Sequence, residues 1–204
     1  MFWLQAILIN TVLIAGAQRF PLLTPSGWVH AGALGTVLWG CLGWQGWLAV
    51  VMYLAAGSLV TKIGWRDKEK RGLAEARGGR RSPANVWGSA ATGAALALLI
   101  GFGLESKALL LAGFSASFAA KLADTFGSEI GKRWGGQPRL ITTLQPVPAG
   151  TEGAISLEGT LASAAGSVLM TLVLYALQLL PSLAISSVVM LIGLLATLAE
   201  SVLG

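Results

Sequence analysis

Long apolar runs separated by short segments that hold nearly all the charge constrain this chain more than any other feature. Runs of this kind, repeated along 204 residues, do not suit a water-facing surface and read as membrane spans. Charged residues make up 11% of the chain, against about 25% in a soluble domain. The fold class that follows is all-α: a polytopic transmembrane bundle of about seven helices, forming a single domain over residues 1–204. The expected helices are 2–18, 26–43, 45–62, 84–103, 107–132, 154–179 and 182–203. Several fall short of ~20 residues, so tilting or local bilayer thinning is expected. Helices two and three are divided only by Gly43–Gly46, which predicts a tight hairpin. The opening MFWLQAILIN lacks the basic stretch of a signal peptide and is expected to remain as the first span.

The distribution of charge sets an orientation. Loop 1–2 carries Arg19, and loop 5–6 carries Lys132, Arg133 and Arg139. Loop 3–4 carries Lys62, Arg66, Lys68, Lys70, Arg71, Arg77, Arg80 and Arg81. An odd–even alternation gathers these 12 of the 14 basic residues on one side, leaving Lys107 on an opposite turn and Lys121 inside a helix. By the positive-inside rule that side is cytoplasm or stroma. The expected location is a bacterial plasma or cyanobacterial membrane, or a plastid envelope. The net charge of +5 therefore speaks for membrane orientation, not for nucleic acid. Trp28, Trp65, Trp87 and Trp134 flank the inner ends, and Trp3, Trp44 and Trp47 the outer ends, as amphipathic indoles do at an interface. Cys41 is the single cysteine, which excludes an intrachain disulfide. His30, the single histidine, reads as an interfacial group.

Ionisable groups inside a span are costly and are therefore candidates for function. The fifth helix brings Ser117, Lys121, Asp124, Thr125, Ser128 and Glu129 within an arc of about 140° at 100° per residue. Lys121 lies deepest, and Glu129 is about 12 Å nearer the inner surface. Lys121, Asp124 and Glu129 are the candidate catalytic groups, with Asp124 and Glu129 as hard oxygen ligands for Mg²⁺ held jointly with substrate phosphates. The structural alternative is an internal Lys121–Asp124 pair with Glu129 capped by Lys132 and Arg133. Glu200, a lone carboxylate in the last span, needs a partner. The glycine- and arginine-rich loop 3–4 can cradle a polyphosphate or touch anionic lipid, and it holds no Walker A motif. In loop 5–6, Thr151 or Ser156 is placed to cap the sixth helix, whose N-terminus can face a phosphate. The outer side offers little charge beyond Glu105 and Lys107, which argues against a translocation path for a lipid transporter.

Three stretches carry a family resemblance: GSLVTKIGWRDKEKRGLAEARGGRRSPANV, ADTFGSEIG and PRLITTLQPVPAGTEGAISLEGTLAS. In this order and spacing the chain resembles the membrane family that includes the phytyl-phosphate kinase of tocopherol biosynthesis, related to phytol and dolichol kinases. The resemblance implies transfer of a γ-phosphate from a nucleoside triphosphate, CTP by similarity, to phytyl phosphate or a similar isoprenyl phosphate, with Mg²⁺ as cofactor. Matched positions for nucleotide and phosphate are Lys62, Lys68, Arg80, Arg81, Asn85, Ser128, Arg139, Thr142, Thr151 and Ser156, beside Asp124 and Glu129. Val86–Ser89 departs from the family's small-residue pattern. The resemblance also implies a further polar, asparagine-bearing segment and helix beyond AESVLG. A cytidylyltransferase and a flippase of a phosphorylated lipid are the competing functions.

The charge asymmetry yields a direct test. Single cysteines at Arg71 and Arg139, in a Cys41→Ser background, should both resist an impermeant thiol reagent in intact cells and react after permeabilisation. Labelling of either from outside would invert or break the layout.

Overall fold

A computed structural model describes residues 3–103 and 106–203. Phe2, the expected start of the first helix, and Glu105 lie outside the described residues. The chain opens with α1 (Trp3–Ala17), whose 15 residues rise only about 22 Å. Thr24 accepts a hydrogen bond from the Gly27 amide and Pro25 takes the first helical position, which starts α2 (Pro25–Lys62).

Run straight, the 38 residues of α2 would span about 57 Å, far more than a bilayer core. Gly43 prevents this with φ 72° and ψ −167°, a backbone conformation open to glycine. The two arms, 25–42 and 44–62, fold back on each other. Gly35 of the first arm abuts the Trp47 indole of the second, and Gly27 and Gly57 both abut Arg81. Trp39 and Trp47 pack edge-on across the turn, 5.6 Å between ring centroids. The expected hairpin is thus present, and α1, the two α2 arms and four later helices make seven helical segments, α1 being the shortest.

Loop 3–4 has secondary structure of its own. It holds α3 (Trp65–Lys70) and a single 3₁₀ turn (Ala76–Gly79) before α4 (Pro83–Gly101). A capping box starts α4: Ser82 accepts from the Asn85 amide, and Asn85 Oδ1 accepts from the Ser82 amide at 2.9 Å. The long α5 (Lys107–Trp134) follows. Loop 5–6 pairs β1 (Arg139–Leu140) with β2 (Ala154–Ile155), antiparallel. That pairing, with Gly153 at φ 71°, delays α6 (Leu157–Ala176) by three residues against its expected start. Ser156 caps it, and α7 (Leu183–Leu203) ends the described chain.

The centre of the bundle is α5, which packs against α2, α4, α6 and α7. Phe114, Phe118, Ala119, Leu122 and Ala123 are buried along it. Lipid offers no hydrophobic gain for helix association, so close packing of small residues and interhelical hydrogen bonds must hold the helices. Gly93 lies against Phe118, Gly127 against Ser163 and Gly193 against Ala119. Thr197 donates to the Ala120 carbonyl (3.0 Å) and Ser167 to that of Met190 (2.7 Å). Leu161, Leu172, Leu183, Leu195 and Val202 remain exposed on the outside, as lipid-facing residues should.

A Cβ at Gly166 would come 2.7 Å from the Leu122 carbonyl oxygen, a backbone atom with little freedom to move. Gly166→Ala should therefore push α5 and α6 apart and cost about 1–3 kcal/mol in a detergent–denaturant titration. Gly16→Ala meets nothing within 4 Å and should be neutral or slightly stabilising, as alanine favours helix.

Candidate functional site

The charged end of the bundle is assembled around the last three turns of α5. Glu129 is buried there, 3% exposed, and forms an ion pair with Lys68 of α3, which is 0% exposed. Lys68 also donates to the Thr61 carbonyl (2.9 Å), which ties α3 to the end of α2. Lys132 reaches Glu129 at 3.5 Å and Glu75 at 2.7 Å, while Arg133 pairs with Asp67 at 2.7 Å. Arg71 donates to the Lys132 carbonyl (3.0 Å), and Gly150 lies against Leu73. The 22–24 segment joins the same end: the Arg81 amide donates to the Leu22 carbonyl, and the Thr24 amide to that of Arg81, each at 3.0 Å. These contacts bring loops 1–2, 3–4 and 5–6 together.

Two polar cavities open on either side of α5. The first, about 450 Å³, lies between the second arm of α2, residues 75–81, the start of α4 and α5. Arg80, Arg81, Asn85, Lys121, Thr125 and Glu75 line it. The second, about 440 Å³, lies between α5, residues 149–156, the start of α6 and the end of α7. Lys132, Thr151, Glu152, Ser156 and Glu200 line it. Asp124 and Ser128 line both, so one turn of α5 forms the wall between the cavities.

The carboxylate of Asp124 has no ion-pair or hydrogen-bond partner among the described residues. Lys121 pairs with Glu200 (2.5 Å), not with Asp124. The partner that Glu200 required is therefore Lys121, and α7 is drawn against α5 at this level. Arg81 donates to the Tyr53 hydroxyl (3.3 Å) and lies 5.4 Å from its ring. No carboxylate pairs with Arg80 or Arg81 among the described residues. A phosphate entering the first cavity would thus meet the guanidinium groups of Arg77, Arg80 and Arg81 and the ammonium of Lys121, beside the carboxylates of Glu75, Asp124 and Glu129.

Other residues singled out in the sequence sit elsewhere. Lys62 donates to the Gly78 carbonyl (2.8 Å) and stands over the Trp65 ring, outside both cavities. Lys68 is committed to Glu129 and Thr61. Arg139 donates to the Leu144 carbonyl (2.8 Å), and Thr142 lines neither cavity. Thr151 lines the second cavity while donating to the Pro148 carbonyl (2.8 Å). Ser117, on the expected arc, donates to the Phe114 carbonyl (2.8 Å). His30 accepts from the Trp87 indole (2.9 Å). Sequence reasoning missed Tyr53 and Glu75. A tyrosine in an apolar span and one acid in a basic loop carry no local signal; only the fold brings both to one cavity.

Metal binding separates the two acidic candidates. Both Glu129 oxygens face lysines, Oε2 toward Lys68 and Oε1 toward Lys132. Among the described residues no three His, Cys, Asp or Glu side chains converge on a common point. Of the two, Asp124 is the carboxylate without a lysine partner among the described residues; a cation held there would draw its remaining ligands from phosphate and water. Mg²⁺ fits such a donor set, because it keeps several waters and commonly takes one or two carboxylates beside substrate phosphates.

Long apolar helices with two polar cavities at their charged end define a polytopic helical membrane protein. The chain belongs to the integral membrane protein family DUF92, whose profile matches residues 8–204. It is 51% identical to the uncharacterized membrane protein sll0875 of Synechocystis over 87% of this chain and 70% of that one. It is 41% identical to the chloroplastic protein VTE6 of Arabidopsis thaliana over 89% of this chain, spanning about half (55%) of VTE6. The uncharacterized membrane protein MJ0933 of Methanocaldococcus jannaschii is 33% identical over 84% of this chain and 70% of its own. No solved structure matches.

Removing one member of a buried pair leaves the other charge unpaired. Lys68→Met should cost about 3–5 kcal/mol in reversible unfolding, and the double variant Lys68→Met/Glu129→Gln should recover most of that loss. Acid should loosen the Glu75–Lys132 pair. Burial pushes the Glu75 carboxyl up, but its bond to Lys132 and the attraction of that ammonium hold it, on balance, below the ordinary value. A lowered folded-state value means stabilisation that is complete above the ordinary carboxylate range and lost as pH falls toward the lowered one. Glu75→Gln should remove this part of the acid limb in a stability–pH profile.

Proposed function

We propose that this protein is a membrane lipid-phosphate kinase, which transfers the γ-phosphate of a nucleoside triphosphate, CTP by family resemblance, to phytyl phosphate or a similar isoprenyl phosphate. The observation that carries this reading is the shared wall of the two cavities. Phosphoryl transfer needs two phosphorylated substrates to meet at one point, and Asp124 and Ser128 face both chambers. The kinase resemblance in three motifs and the 41% identity to VTE6 support it.

In this reading the nucleotide occupies the chamber beside residues 149–156 and the acceptor the chamber beside Arg80 and Arg81. The acceptor is a phosphate monoester with a second pKa of about 6, so at neutral pH it is largely dianionic and requires no strong general base. One of its oxygens attacks the γ-phosphorus. The bond from that phosphorus to the β,γ-bridging oxygen breaks, and the electron pair leaves with the nucleoside diphosphate. The chain's task is positioning and neutralisation of charge. Arg80, Arg81 and Lys121 screen the acceptor, Lys132 and Thr151 hold the donor, and Asp124 would hold Mg²⁺. Magnesium would lower the repulsion between the two polyanions. Glu129 and Lys68 act as positioning residues that fix α3 and the basic loop against α5. The positive-inside asymmetry supports a site open to cytoplasm or stroma. A flippase is less well supported, since the charged groups converge at one end and do not line a path across the bundle.

The test is direct. Purified protein with Mg²⁺, γ-labelled nucleotide and phytyl monophosphate should yield nucleoside diphosphate and lipid diphosphate in equal amounts. Asp124→Asn should abolish turnover while eluting as folded protein. Arg80→Gln should lower kcat/KM by about 10- to 100-fold, the loss expected for a charge-assisted phosphate contact. Release of pyrophosphate would indicate cytidylyl transfer instead. Nucleotide-independent lipid movement without a diphosphate product would overturn the assignment.

A further inference from the structure

The acceptor chamber has an apolar continuation. A groove of about 560 Å³ runs between α1, the two arms of α2 and the first turns of α4. Leu13, Ala17, Leu34, Val50, Leu54 and Val86 are among its walls. Tyr53, Arg81, Asn85 and Ser89 line both the groove and the chamber, so the two spaces meet at these four residues. A cationic junction thus separates a polar compartment from an almost wholly hydrocarbon one.

Asn10 and Trp47 line the far end. Asn10 is buried there, its amide donating to the Ala6 carbonyl (2.9 Å) and its oxygen accepting from the Trp47 indole (2.9 Å). The polar groups at this floor satisfy one another, which suits an apolar neighbour. From Trp47 to Leu54 the second arm rises about 10 Å, which sets the depth of the groove. Near the junction, Trp28 lines the groove with an indole N–H that is buried and has no hydrogen-bond partner among the described residues. Trp28 and Arg81 line the same groove, and an unpaired buried donor calls for a partner such as a ligand oxygen.

We propose that this groove is the tail site for the single hydrocarbon chain of an isoprenyl monophosphate. Its phosphate lies past Arg81 and Asn85 in the acceptor chamber, and its first carbons lie between α1 and α2. The assignment rests on the kinase reading for its choice of lipid, and on the continuity of groove and chamber for its location. The Asn10–Trp47 floor limits how much of the chain can be enclosed, so carbons beyond it pass out toward lipid.

The experiment is photolabelling of the full chain in nanodiscs with an isoprenyl monophosphate carrying a diazirine near its head group, without nucleotide, followed by mapping of the labelled peptides. Label is expected on α1, α2 and the start of α4, and phytyl monophosphate should displace it. Gly16 lines the groove and a Cβ there meets nothing within 4 Å, so Gly16→Phe directs a ring into that space. Ala55→Phe fills it from the opposite wall. Each should lower labelling and raise the KM for phytyl monophosphate by roughly tenfold, an effect on the scale of excluding a few methylenes. Label confined to other helices, equal displacement by phosphatidic acid, or full labelling in both variants would overturn the tail site. Because labelling needs no turnover, label in the groove without nucleotide consumption would remove the kinase reading alone. Turnover with label elsewhere would remove the tail site alone.

Discussion

Everything at the charged end of this protein depends on how α5 carries ionised groups into surroundings that resist them. A carboxylate at the position of Glu129, 3% exposed, is tenable because Lys68 meets it from α3 and Lys132 approaches from the next turn. That requirement dictates the rest of the end. Satisfying Glu129 pulls α3 under the bundle, and α3 brings the basic loop with it. Glu75 and Asp67 then neutralise Lys132 and Arg133 from outside. The ion pairs are costly to assemble and give little net stability. Their effect is geometric, since this arrangement of loop and helix pairs the buried charges Lys68 and Glu129 with each other.

Deeper in the bundle the same constraint fixes α7. Lys121 and Glu200 find each other 79 positions apart, and Thr197 bonds the Ala120 carbonyl one level away. Elsewhere, helix contacts are made by glycines and small hydroxyl residues, which add no charge and allow close approach. With Lys121 and Glu129 thus engaged, Asp124 is the acid on that face left facing space on both sides. The asymmetry between neutralised and unneutralised acids is what distinguishes a site from a scaffold here. Arg80 and Arg81 show the converse, as cations without carboxylate partners among the described residues.

The apolar groove extends this logic from the charged end toward the opposite one. Arg81 is held by its backbone to residues 22–24 and by its side chain to Tyr53, so it stands fixed where polar and hydrocarbon spaces meet. A ligand with an anionic head and an apolar chain is complementary to both sides of that boundary. The helical hairpin at Gly43 provides one long wall of the groove, which links a single glycine conformation to the shape of a binding space.

The sequence by itself determined the membrane class, the number of spans, the hairpin at Gly43 and the concentration of acidic groups on α5. These follow from run lengths, from charge segregation and from a 100° helical repeat, all of which are local. It also made Ser156 and Glu200 stand out, one as a cap and the other as a carboxylate in need of a partner. Tertiary structure alone decided the partnerships. Lys68 looks like a phosphate ligand in a basic loop, yet its ammonium is fully buried against Glu129, 61 positions away. Lys121 takes Glu200 although Asp124 lies one turn from it. Tyr53, Glu75 and the groove emerge only when distant helices meet. The physical reason is that the energy of a charge in an apolar medium depends on what surrounds it in space, and sequence periodicity reports only what lies along one helix.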